Sequence, residues 1–234
     1  MSTEYVQHPV YGNVRILSGD KFIGHWVKQQ RIWEQSLVSQ FQKFVRQDSL
    51  VLDVGANIGL HSILFSKWCR VISFEPQPVL FDILQTNIQN NQLENCITPV
   101  QFAISAKVGM ELFGIPVSYN AWDNPGGLGI VDASFSQDGL KTIVVQTRTI
   151  DSFNYTDVSV IKIDVEGHER EVLEGARETI AREKPNLIVE ILGGCNRNTY
   201  YNEIQGFIDW VCDTFGYMIV AEVAHDYIFC PLSE

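Results

Sequence analysis

The segment Asp53-Val-Gly55-Ala-Asn57-Ile-Gly59 ends an apolar run, and Glu75 follows 22 positions after Asp53. Glycines four apart permit a tight turn in which backbone amides at the mouth of a helix come close to a ligand. A carboxylate at the end of the next strand, where Glu75 falls, can accept both hydroxyls of a ribose. The details narrow the ligand. A dinucleotide fingerprint would put glycines at positions 57 and 60, which hold Asn57 and Leu60. Asp53 would repel a phosphate and suit a cation. S-adenosylmethionine carries ribose hydroxyls, an ammonium and a sulfonium but no phosphate, and it meets these requirements. Asp53, Gly55, Asn57, Gly59 and Glu75 are therefore the expected cofactor contacts. Two other readings stay open: an NAD(P)-dependent oxidoreductase, since Glu75 suits either ribose, and a non-catalytic adenosylmethionine-binding protein.

A second group of carboxylates fits the chemistry such a cofactor supplies. Methyl transfer to oxygen is an in-line displacement on an activated sulfonium, so an enzyme must orient the oxygen and help remove its proton. Asp164, Glu166 and His168 fall at the end of a strand predicted over residues 160–165, and Glu190 ends one over 187–191. Asp164 can face the methionine end of the cofactor or the acceptor oxygen. Glu166 can act as base or orient it, and Glu190 is a second base candidate. A carboxylate ending an apolar strand is costly to bury without partners. His168 reads better as a helix-start residue than as a base. Glu169 and Glu171 read as first-turn acids favoured by the helix dipole. Asp164-x-Glu166-x-His168 can also bind Mg²⁺ or Mn²⁺. Three alternate residues leaving a strand seldom converge unaided, so the metal stays unassigned.

These residues need a scaffold, and the hydrophobic pattern supplies one. Residues 1–48 read as an N-terminal appendage: a hairpin around Tyr11-Gly12-Asn13, then a helix carrying Trp33, Leu37, Phe41, Phe44 and Val45. Such an appendage either lids the cofactor site or simply packs. Residues 49–234 read as a Rossmann-like core, one domain with the appendage. Strands are predicted over 50–54, 71–74, 97–104, 160–165, 187–191, 218–220 and 227–229, alternating with helices. One helix should begin at Glu171 and run on through Ala176 and Ile180. Two strands, 109–113 and 142–147, flank a glycine-rich stretch, 119–129, that is too long for a plain connection and reads as a functional loop. Trp122 in that loop can stack on a sugar or adenine, or merely pack.

Composition sets bounds. The chain has 234 residues, 45% of them hydrophobic, a net charge of −11 and five cysteines. That charge argues against a nucleic-acid substrate. The scattered, odd-numbered cysteines fit reduced thiols. With no signal segment or spanning apolar run read from the sequence, the expectation is a cytoplasmic protein without a membrane span.

Several blocks together resemble the FkbM-type methyltransferase family: Leu52-Asp-Val-Gly-Ala-Asn-Ile-Gly59, Phe74-Glu-Pro76, Asn87 with Asn91, Ala103-Ile-Ser105, Thr149-Ile-Asp-Ser-Phe153, Ile161-Lys-Ile-Asp-Val-Glu-Gly-His-Glu169, Val172-Leu-Glu-Gly-Ala176 and Lys184-Pro185 with Val189-Glu-Ile191. The resemblance spans about residues 50–192. It implies a class I methyltransferase fold: α/β and Rossmann-like, with a seven-stranded, mostly parallel sheet and helices on both faces. It also implies S-adenosylmethionine-dependent O-methylation of a sugar, glycan or small-metabolite hydroxyl. Ala103 and Asp164 join the expected cofactor contacts, and the two ends of the chain are expected to carry acceptor choice.

Overall fold

The computed structural model describes residues 1–191 and 204–232. The chain opens with the hairpin β1 (Thr3–His8) and β2 (Gly12–Leu17), then α1 (Ile23–Lys28) and α2 (Gln35–Phe41). Alternation follows through β3 (Leu50–Val54), α3 (Leu60–Phe65), β4 (Arg70–Phe74), α4 (Pro78–Asn90) and β5 (Ile97–Val100). Next come β6 (Ala103–Ile104), β7 (Gly109–Pro116), β8 (Ile130–Val131) and β9 (Leu140–Arg148). The series ends with β10 (Val158–Ile163), α5 (Glu169–Glu174), α6 (Arg177–Glu183), β11 (Asn186–Glu190), α7 (Ile204–Phe215), β12 (Tyr217–Val223) and β13 (Asp226–Pro231).

The main sheet has seven strands in the order β12-β13-β11-β10-β3-β4-β5. β5, β4, β3, β10 and β11 pair in parallel, whereas β13 is antiparallel to both β11 and β12. The sheet is therefore mixed at one edge, because the tight return from β12 to β13 can only be antiparallel. Both faces are apolar, as in a sheet covered on two sides. Val51, Val71, Val160, Ile188 and Ile228 pack on one face with α3 and α4. Leu52, Phe74, Ile161, Ile163, Leu187 and Val189 pack on the other with α5, α6 and α7. Residues 1–48 lie on the first face and send Tyr11, Val14, Ile16, Leu17, Ile23, Val27, Leu37 and Phe41 into its core. Phe41 stacks on Phe65 of α3, with ring centroids 3.8 Å apart.

Two expectations are corrected. The strand predicted over 97–104 is two strands, since β5 ends at Val100 and β6 leaves the main sheet to pair with β9. With β7 and β8 they make a separate four-stranded sheet, β6-β9-β7-β8. The helix predicted through Ala176 and Ile180 is broken between α5 and α6. A Cβ on Gly175 would lie 2.1 Å from the Ser105 carbonyl oxygen, so the backbone passes too close there for any side chain. Among the described residues no helix is long and apolar enough to cross a membrane. Cys69, Cys96, Cys212 and Cys230 are free thiols, and Cys195 lies outside the described residues.

Candidate active site

On the face that carries residues 1–48, the central strands are apolar at their start and polar at their carboxyl end. Side chains two apart share a face, so Val51 is followed by Asp53, Val71 by Ser73, Val160 by Lys162 and Ile188 by Glu190. Antiparallel β13 brings its first residue, Asp226, to the same end, opposite Glu190 in the register. A cavity of about 510 Å³ sits over these ends.

Glu75 forms one end of the cavity. It is buried, and its two carboxylate oxygens accept the backbone N–H groups of Asn57 (2.9 Å) and Gln77 (2.8 Å). Asn57 reaches that bond in a left-handed conformation (φ 53°). Burial pushes the Glu75 carboxyl up to about 7 against the pull of the two amides. Each oxygen keeps a lone pair for a further donor. Gln77 donates its side-chain amide to Pro125 O at 3.1 Å, while its Oε1 is buried without a partner among the described residues. The 119–129 loop is thereby held over the cavity, and Asn124, Gly126, Gly127 and Leu128 line it. A Cβ at Gly126 would lie 2.0 Å from Asn57 Nδ2, so any side chain there would displace the Asn57 amide. Lys21 pairs with Asp123 at 2.8 Å, which ties this loop to the N-terminal segment.

The other end is acidic around one buried cation. Lys162 is 1% exposed and bonds Asp164 Oδ2 at 3.1 Å. Burial alone would lower its ammonium's pKa, but Asp164, Glu34, Asp226 and Asp53 together raise it well above the usual lysine value. Burial works against an ionised Asp164 too, but Lys162 and a hydrogen bond with Glu190 hold its pKa down. Burial and the charge on Asp164 push Glu190 up to about 10. At neutral pH Glu190 is thus a neutral carboxyl that donates to Asp164.

Asp164, Glu166 and Glu190 bring one carboxylate oxygen each to within 4.8 Å of one another. The convergence that seemed improbable for alternate residues arises because Glu190 of the neighbouring strand replaces His168. Glu166 and Gly167 form a left-handed turn (φ 57° and 96°). The carboxylate of Glu169 accepts the Gly167 N–H at 2.9 Å and so pins that turn, beyond its expected role at the start of α5. His168 is turned to Ser105 Oγ at 3.0 Å and toward Glu171 at 3.6 Å.

Of the expected cofactor contacts, Gly55, Asn57, Glu75, Ala103 and Asp164 line the cavity, while Asp53 and Gly59 stand behind its wall. The cation that Asp53 suits is Lys162, its register partner on β10, and Asp53 also accepts Ser62 Oγ at 2.5 Å. Gly55 is required chiefly by the protein, since a Cβ there would lie 1.8 Å from Asp164 O. Trp122 packs against Gly139 and the small-sheet cluster and does not line the cavity. Residues that sequence reasoning missed are Lys162, Glu34, Asp226, Gln77, Trp26 and Trp33. Lys162 carried a signal, being the only charged residue in the apolar run 158–163.

A mixed seven-stranded sheet between two helical layers, with a cavity over its carboxyl ends and a buried carboxylate after the second strand, is the fold of a class I methyltransferase. The chain belongs to the FkbM methyltransferase family, whose FkbM domain matches residues 53–219. It is 31% identical to the hexuronic acid methyltransferase AglP of Haloferax volcanii over 69% of this chain and 63% of that protein. It is 27% identical to the methyltransferase sdnD of Sordaria araneosa, over 60% of this chain and 65% of that one. The matches thus span a little under two thirds of each relative. In structure it resembles the FkbM methyltransferase of Methylobacillus flagellatus (TM-score 0.55, 18% identity, 83% of this chain and 47% of that). A putative rRNA methylase of Clostridium thermocellum is also similar (TM-score 0.52, 9% identity, 84% and 92%), so the fold by itself does not select the acceptor. The family is one of methyltransferases, and it implies S-adenosylmethionine as methyl donor in place of a nicotinamide cofactor.

Proposed function

We propose that the protein methylates a hydroxyl of a sugar or a related small metabolite, with S-adenosylmethionine as donor. The observation that carries the reading is Glu75, a buried carboxylate whose oxygens are oriented by two backbone amides and lie open to a vicinal diol. Gln77 Oε1 offers an unpaired acceptor on the same wall, suited to the adenine amine. Across the sheet, Asp164 lies two strands from Glu75 and Glu190 three, roughly 10 and 14 Å at the usual strand spacing. A cofactor bound by its ribose at Glu75 therefore extends its amino-acid end toward Asp164.

The charge there is complementary. Asp53, Asp164, Asp226 and Glu34 surround Lys162, an excess of acid that a ligand carrying an ammonium and a sulfonium would offset. When bound, that cofactor supplies an electrophilic methyl group. In this assignment Asp164 holds the cationic end, Glu190 holds Asp164, and Glu166 faces the acceptor from the turn beside them. The sugar acceptor is supported by the hexuronic acid methyltransferase relative and by Trp26 and Trp33 in the cavity wall, whose rings give a sugar an apolar face to rest on. Calorimetry with S-adenosylhomocysteine and with NAD, followed by methyl transfer to a panel of hexuronic acids and neutral hexoses, tests the proposal. Binding of S-adenosylhomocysteine and not of NAD, with transfer to at least one sugar, is expected. Binding without transfer to any acceptor would leave only a cofactor-binding protein.

A further inference from the structure

A neutral hydroxyl is a weak nucleophile and needs a base. The carboxylates at the ends of β10 and β11 are already engaged: Asp164 is bonded to Lys162, and Glu190 stays protonated. A second pair stands in the same cavity wall, formed by Glu34 from the N-terminal segment and His61 from the first turn of α3. His61 Nε2 lies 3.3 Å from Glu34 Oε2, and the two side chains are 8% and 23% exposed. Neither atom has a hydrogen-bond partner among the described residues. The pair is close but not closed, and both groups keep bonding capacity for a ligand.

The surroundings hold these two groups in place. Glu34 sits in a left-handed conformation (φ 46°), which a non-glycine residue adopts only when its context imposes it. Tyr11 OH accepts the backbone N–H of the preceding Trp33 at 2.8 Å and fixes that turn. The His61 ring stacks on Phe65 at 5.6 Å and an 8° interplanar angle, and Phe65 in turn stacks on Phe41. A strained backbone, a half-buried acid whose inner oxygen has no partner among the described residues and an incompletely bonded imidazole together are expensive for packing alone. Trp26 and Trp33, edge to face at 6.0 Å, line the cavity beside Glu34, so a sugar resting on them would present its hydroxyls to this carboxylate.

We propose that Glu34 is the general base that takes the acceptor's hydroxyl proton, and that His61 is the positioning residue that holds its carboxylate in the cavity. This rests on the methyl-transfer reading above. As the O–CH₃ bond forms and the electron pair of the S–CH₃ bond leaves on sulfur, the hydroxyl proton passes to Glu34 and from there to solvent. The acid strength suits the task. Burial pushes Glu34 up to about 7, with Lys162 opposing and Asp226, Asp164 and Asp53 adding to the rise. A base tuned near the working pH is the effective one. Burial, with Lys162, takes His61 down to about 3, so the imidazole is a neutral hydrogen-bonding partner. Glu34 precedes the matched residues 53–219, so this base comes from outside the family's shared domain.

The test measures single-turnover transfer from methyl-labelled S-adenosylmethionine to D-glucuronic acid, D-galacturonic acid and D-glucose, together with S-adenosylhomocysteine affinity by calorimetry. Glu34→Gln should lower the rate about 100-fold or more with affinity changed less than about threefold. Glu34→Asp should recover part of the rate. In the wild type the rate should rise with pH through about 7. That limb should vanish in Glu34→Gln and move in His61→Gln. Activity-free evidence comes from melting. A carboxyl raised in the folded state stabilises most below its unfolded value and loses that contribution as pH rises through about 7, so Glu34→Gln should gain stability over wild type between pH 5 and 8. Glu75 titrates nearby and drops out of the wild-type-minus-variant difference; Asp226 is coupled to Glu34, and repeating the pair of measurements in an Asp226→Asn background separates its share. Full activity of Glu34→Gln, an equal fall in rate and cofactor affinity, or a melting difference flat with pH would each overturn the assignment. A wild type that methylates none of the three sugars would overturn it together with the sugar-methylation reading; an active wild type beside a fully active Glu34→Gln overturns this assignment alone.

Discussion

The two ends of the cavity solve the same problem, a buried carboxylate, in opposite ways. Glu75 is satisfied by backbone amides of residues 57 and 77, one of them only two positions away in the chain. Asp164 is satisfied by side chains: Lys162 on its own strand and Glu190 on the next, with Asp53 and Asp226 in the same field. Backbone donors cannot ionise, so the Glu75 end has one charge state to adjust. The Asp164 end is a set of coupled charges in which moving any one moves the others. The first end is a rigid anchor, and the second is responsive to a cation that arrives.

The largest effect expected from this contrast is on stability. Lys162→Met removes the buried ammonium and leaves its carboxylates uncompensated, which should cost about 3–5 kcal/mol in urea unfolding. A loss below about 1 kcal/mol would mean that those acids are already neutral, and the two ends would then be alike.

At the anchor, Glu75→Ala should weaken S-adenosylhomocysteine binding by about 2–4 kcal/mol through lost charge-assisted hydrogen bonds, with the fold intact. Calorimetry on the folded variant reads this directly. Unchanged affinity would remove Glu75 as the ribose acceptor.

A pair of isosteric changes sharpens the other end. Asp164→Asn removes the charge that faces the cofactor and should cut the transfer rate on the order of 100-fold. Glu190→Gln keeps a neutral donor to Asp164 and should change the rate by less than about threefold. Equal losses in the two would show that Glu190 works ionised, as a base.

The smallest effect is on pH dependence. Glu75 has a folded-state pKa raised from 4.5 to about 7. Its stabilising contribution is therefore complete below about 4.5 and is lost as pH rises through about 7. The ligand needs the ionised form, so cofactor affinity should rise with pH over the same window, by at most about tenfold per unit. Calorimetry from pH 5 to 8 checks the slope, and a flat profile would mean that the ribose hydroxyls meet a protonated Glu75.

The anchor was largely legible in the sequence. The apolar run, the turn Gly55-x-Asn57-x-Gly59 and Glu75 all lie between Leu50 and Glu75, and their geometry follows from a strand, a turn and a helix in order. Asp164, Glu166 and Glu190 were also recognisable, as acids at the ends of apolar strands. Their company was not. Asp53 read as a ligand contact with no cation of the protein in view, since Lys162, 109 positions away, becomes its neighbour only when β3 and β10 pair. Trp122 could stack on a ligand or merely pack, and only the fold shows it packed against Gly139. Glu34 carried no motif at all, being one acid in a segment whose periodicity announced only a helix.

The sequence by itself determined the class of fold, the family and the place of Glu75 after the glycine turn, because strand and helix periodicity, turn chemistry and a carboxylate at the next strand's end are local properties of the chain. Tertiary structure alone decided which acids feel each other's charge, which glycines the packing demands, and that Glu34 meets His61 beside the acidic end of the cavity. Desolvation and charge coupling depend on which distant residues come within a few ångströms, and adjacency along the chain does not encode that.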